Sequence, residues 1–142
     1  MADTMQFLNV DLEISSKSSL APLIAELSVR MFQLYKGRYG GMARANFEVN
    51  KITLTADATI KEIVRVVEGL GPAARRCWDK AHAREFDVGI QAGMKPPTIA
   101  VEIDPKTVQA VAALDGRIVI TVYAPYEPSK PERKQAVPRR RA

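Results

Sequence analysis

The stretch FLNVDLEI (Phe7–Ile14) alternates without a break. Leu8, Val10, Leu12 and Ile14 fall on one side, and Asn9, Asp11 and Glu13 on the other, which predicts a half-buried strand. SSKSS then interrupts the alternation and offers Ser19 as an N-cap. Leu20, Leu23, Ile24 and Leu27 follow at helical spacing, with Pro22 in the first turn, where a missing N–H does no harm. MFQLY (Met31–Tyr35) predicts a second strand, and KGRYGG (Lys36–Gly41) a glycine-rich hairpin connection. ARANFEV (Ala43–Val49) is a third strand, with Ala45, Phe47 and Val49 inward and Arg44, Asn46 and Glu48 outward. The main helical stretch is Thr59–Ala83, opened by Thr59 and Glu62 at capping-box spacing. Its apolar face, Ile60, Ile63, Val67, Leu70, Ala74, Cys77 and Ala81, keeps phase across Gly71-Pro72. That predicts one kinked helix, or two nearly in line with Pro72 starting the second. EFDVGIQ, TIAVEI and RIVITVY are the fourth, fifth and sixth strands. Before the last of them Asp104 caps a helix that begins at Pro105 and is closed by Gly116.

These strands are apolar on one side only, so one sheet face is covered and the other is wet. Val10–Tyr35 and Ile99–Tyr123 share one plan, strand, capped turn, short helix, strand, as a pseudo-repeat. The expected class is α+β: a ferredoxin-like, mixed or antiparallel sheet of about six strands with helices on one face. Apolar periodicity stops after Pro125, so residues 1–125 read as one domain and 126–142 as a proline-rich basic tail.

Charge sharpens that division. The net +5 splits unevenly, because Lys130, Arg133, Lys134, Arg139, Arg140 and Arg141 stand against only Glu127 and Glu132, a tail of +4. The preceding 125 residues carry 15 basic and 14 acidic side chains, or +1. The single cysteine cannot form an intrachain disulfide, no apolar run suits a membrane span, and the start shows no secretory pattern. The expectation is a cytoplasmic protein.

Cys77, Trp78 and His82 are the only residues of their kinds and lie within six positions. On a helix Cys77 and His82 are about 140° apart, which excludes a thiolate–imidazole pair between them. Asp79 and His82, three apart, have the spacing of an acid–base pair, but no nucleophile or oxyanion donor accompanies them. The structural reading of this stretch is preferred: Cys77 as a small buried hydrophobe, Trp78 as core or rim packing, and His82 near a helix C-terminus. One His and one Cys do not make a zinc site, and EGLGPAAR lacks the Lys-Ser/Thr of a phosphate loop. No catalytic residue, metal ligand or cofactor is assigned. KGRYGG mixes basic, aromatic and glycine residues, yet places Tyr39 in a turn rather than on a sheet face where bases stack.

What remains is surface. Asp11, Glu13, Glu48, Asp87 and Glu102 all alternate with inward apolar residues, and Tyr35 and Tyr123 share the outward side. These seven are the candidate partner-binding residues, and the face is expected to receive a basic protein segment, either a partner's or the chain's own tail. Arg133, Lys134, Arg139, Arg140 and Arg141 are candidate nucleic-acid contacts, the alternative reading. An enzyme of unassigned type ranks third.

FLNVDLEI, EFDVGIQAG and the closing VEID…VITVYAP resemble small bacterial α+β proteins of the domain-of-unknown-function type, in an immunity-protein-like style. The resemblance spans most of Phe7–Pro125 and excludes the tail; none of its motifs is a catalytic signature, and it bears on the fold more than on function, some proteins of this size and style being toxin-immunity proteins.

Overall fold

A computed structural model describes residues 3–125. Strand β1 (Gln6–Ser16) leads to helix α1 (Ala21–Arg30) and to the hairpin β2 (Met31–Tyr39) and β3 (Met42–Val49). Helices α2 (Ala56–Glu68) and α3 (Pro72–Lys80) precede β4 (Ala83–Gln91), and α4 (Pro105–Ala113) precedes β5 (Arg117–Tyr123). The five strands form one mixed sheet in the order β2-β3-β1-β4-β5. Only β4 and β5 are parallel; the other neighbours are antiparallel. The class is therefore α+β, with five strands and four helices among the described residues.

The expected sixth strand accounts for the difference. Val101 and Ile103 of TIAVEI pack against the core, but Thr98–Ile103 has no ladder partner. Both sides of β1 are taken by β3 and β4, and both sides of β4 by β1 and β5. The segment is instead the crossover that returns the chain from β4 to α4, as a parallel pair requires. Its alternation records one-sided burial rather than pairing. The pseudo-repeat accordingly lacks its first strand in the second half.

Val10, Leu12, Ile14, Ala45, Phe47, Val49, Phe86 and Val88 share one sheet face by register and form a single core with Leu23, Leu27, Ile60, Ile63, Val67 and Trp78 of the helices. Leu8 breaks the expected pattern. The β1–β4 register shifts between Phe7 and Asn9, so Phe7 packs on the core and Leu8 is left 45% exposed.

Helix boundaries follow local chemistry, with two corrections and one expectation met, the start of a second helix at Pro72. Leu20 is the N-cap of α1, while the Ser19 hydroxyl accepts the Ala21 N–H at 3.1 Å. Helix α2 begins a turn earlier than expected: Thr55 Oγ1 accepts the Ala58 N–H, and Thr59 is buried inside the helix, where its hydroxyl bonds the Thr55 carbonyl at 2.7 Å. The long stretch divides into two helices, and α3 starts at Pro72 with the Gly71 N–H held by both oxygens of Glu26 at 3.2 and 3.0 Å. The hairpin turn is only Gly40 and Gly41, both at positive φ, so KGRY belongs to β2.

Candidate functional site: the outer sheet face

With the helices on one face, the side chains of opposite parity make the other. In the β1–β4 register Asp11 lies directly opposite Asp87, and Glu13 directly opposite Glu85. Glu48 is on the same face of β3, beside Asn46, which pairs with Glu13. Five carboxylates thus occupy three adjacent strands. Like charges placed opposite one another destabilise a ladder unless donors offset them. Thr121 donates to Asp87 Oδ1 at 2.6 Å, Arg117 Nη1 to Glu85 Oε2 at 3.0 Å, and Asn9 Nδ2 to Glu48 Oε1 at 2.8 Å. Asp11 and Glu13 are engaged as well. Asp87 is only 6% exposed.

Asp11 and Asp87 line a depression of about 250 Å³ with Leu8, Asn9, Gly89 and Tyr123. Gly89 forms its floor, where a side chain would lie against the Tyr123 ring. The combination is an acceptor-rich surface with an aromatic wall, suited to ammonium or guanidinium groups. Tyr35 lies on the same face at β2, its ring folded across Gly37, and the Arg44 guanidinium stands 5.2 Å from the centre of the Tyr39 ring while donating to the Tyr39 carbonyl.

Six of the seven candidate partner residues are on this face: Asp11, Glu13, Glu48, Asp87, Tyr35 and Tyr123. Glu102 is not. It belongs to the crossover and lines a groove with Phe7, Leu54 and Asp104 near the start of α2, because its segment is outside the sheet. Glu85 completes the carboxylate set; the sequence reading passes over it, although its parity with Asp87 marks it. Leu8 escapes that reading because a bulge, which alternation does not reveal, turns it outward. Arg133, Lys134, Arg139, Arg140 and Arg141 lie outside the described residues.

The rare side chains of α3 do not converge. Trp78 is buried and its indole N–H donates to the Leu114 carbonyl at 3.1 Å. Cys77 is half-buried, not fully buried as expected, with Sγ 3.5 Å from the Ser19 carbonyl. The helix ends at Lys80, so the three-residue spacing of Asp79 and His82 is not a helical one. Asp79 pairs with Arg75 at 3.2 Å, and the His82 backbone N–H joins the Ser15 carbonyl. Among the described residues no group of three or more His, Cys, Asp or Glu side chains is arranged to hold a metal ion, and no helix is long and apolar enough to cross a membrane. No protein-family model, curated protein or solved structure matches the chain.

Proposed function

We propose that this chain is a non-catalytic protein-interaction module, immunity-like in style, whose outer sheet face receives a basic segment of a protein partner. Its first four strands, in the order β2-β3-β1-β4, read as a ferredoxin-like core to which α4 and β5 are added. One observation carries the function: the register sets Asp11 against Asp87 and Glu13 against Glu85, with Glu48 alongside, on the face away from the helices. Opposed carboxylates cost ladder stability, and a face that tolerates them gains from a cationic ligand.

The test uses an arginine- and lysine-rich peptide as probe, followed by fluorescence anisotropy. Single exposed ion pairs contribute below about 1 kcal/mol, so the informative variant is triple. Asp11→Asn, Glu13→Gln and Glu48→Gln together should weaken peptide binding at least tenfold at low salt, and by less at high salt. Glu102→Gln, off the sheet, should leave binding unchanged. Equal affinity for the triple variant and the parent at low salt refutes the acidic-face reading, provided circular dichroism shows both folded.

A further inference from the structure

A second surface, independent of the acidic face, has the opposite chemistry. Between the start of α1 and the β2–β3 hairpin is a cavity of about 540 Å³. Lys36 and Arg38, on the helix side of β2, line it together with Ser19 and an apolar floor that includes Leu20 and Ile24; Arg44 borders it from β3, but its guanidinium stands over the Tyr39 ring on the outer face. No acidic residue is among those lining it. Neither Lys36 nor Arg38 is in an ion pair with a carboxylate among the described residues. Elsewhere several cations of this molecule are paired: Lys51 and Arg65 with Glu62, Lys61 with Asp57, Arg75 with Asp79, and Arg117 with Glu85.

Arg38 is held by backbone rather than by a carboxylate. Its Nη2 donates to the Gly41 carbonyl at 3.3 Å. That contact fixes the guanidinium while leaving its other N–H groups to donate. The tight Gly40–Gly41 turn brings this carbonyl to the hairpin tip, so the turn itself positions the cation. The N-terminal end of α1, at Leu20–Ala21, also borders the cavity and adds the positive end of its dipole.

We propose that this cavity is an anion-binding site that takes an organic phosphate monoester. Two cationic side chains, Lys36 and Arg38, with no acidic counterpart favour a dianion over a monocarboxylate, and the arginine fork matches phosphoryl oxygens. The volume is in the range of small-molecule pockets, more than a bare phosphate fills, and the Leu20–Ile24 floor suits an apolar body attached to the phosphoryl group.

Phenyl phosphate is the probe, titrated into the full chain while backbone amide resonances are followed. Saturable shifts are expected at Leu20, Gly37 and Ala43, with inorganic phosphate at least threefold weaker and phenol not binding. Lys36→Gln combined with Arg38→Gln should reduce phenyl phosphate affinity at least tenfold, whereas Lys80→Gln, on the exposed end of α3, should not. Both changes are on exposed positions of an edge strand, so the fold is expected to persist, and the amide spectrum reports this directly. Unsaturable shifts spread over all lysines overturn the proposal, as does undiminished binding by the folded double variant. Phenol binding as well as phenyl phosphate also overturns it, since the cavity is then apolar rather than anion-selective. Peptide capture by the acidic face is measured separately, so the two proposals fail independently.

Discussion

Trp78 shows how one side chain joins distant parts of the chain. Its ring is buried in the core, and its indole N–H satisfies the Leu114 carbonyl where α4 ends. Trp78→Phe removes the donor and leaves that carbonyl buried, so a loss of about 1–3 kcal/mol is expected from urea unfolding. Trp78→Ala adds a cavity and should cost about 3–5 kcal/mol. Asp57 acts through charge. Burial opposes its ionisation, but the Thr107 side chain, the Asp104 N–H at 3.0 Å and Lys61 at 3.1 Å outweigh this and hold its pKa below the usual value. Glu62 is lowered too, by hydrogen bonds from Arg65 above all and by Lys51, despite partial burial. A folded pKa below the unfolded one, about 3.9 for Asp and 4.3 for Glu, means stability that is full above those values. It is lost as pH falls through the lowered folded values. Urea midpoints should therefore drop below pH of about 4, and Asp57→Asn should flatten that dependence.

At the level of elements, the ends are held by a few specific donors. Arg84 Nη1 donates to the Trp78 and Ala81 carbonyls at 2.7 and 3.0 Å, and its Nε to the Asp115 carbonyl at 3.0 Å. One guanidinium thereby closes α3 and the turn before β5. Arg84→Met keeps much of the apolar stem and should destabilise by about 2 kcal/mol through the abandoned carbonyls, read as a shift in the unfolding midpoint. At Gly41 the β2–β3 turn depends on backbone conformation rather than on space: φ is +79, and a β-carbon at that position would meet nothing within 4 Å. Gly41→Val should cost about 1–2 kcal/mol and speed amide exchange along Tyr39–Met42, without any steric clash.

Across the whole molecule, charge is arranged by region more than by amount. The first 125 residues carry only +1, yet the outer face of β1, β3 and β4 gathers five carboxylates, while the cavity between α1 and the hairpin is lined by Lys36 and Arg38 with no acidic residue. Residues 126–142 carry +4. A chain ending at Pro125 should therefore lose salt-sensitive affinity for single-stranded RNA, measured by anisotropy across a salt series. A truncated chain with the parent's salt slope would place the nucleic-acid contacts on the first 125 residues instead.

Much of this is legible in sequence because it is local. The alternation of Val10, Leu12 and Ile14 marks the buried side of β1, Pro72 marks the start of α3, and Gly40–Gly41 marks the hairpin. Each rests on a side chain's own preference or on a short repeat. The same logic misreads Thr98–Ile103 and Leu8. Alternation tells which side of an extended segment is buried, but not whether a strand edge is free to pair with it. The bulge between Phe7 and Asn9 is likewise a property of two strands together. The oppositions of Asp11 to Asp87 and of Glu13 to Glu85 join residues far apart in the chain. They required the register and the packing of the sheet, because proximity between distant residues is decided only when the elements that carry them are brought into contact.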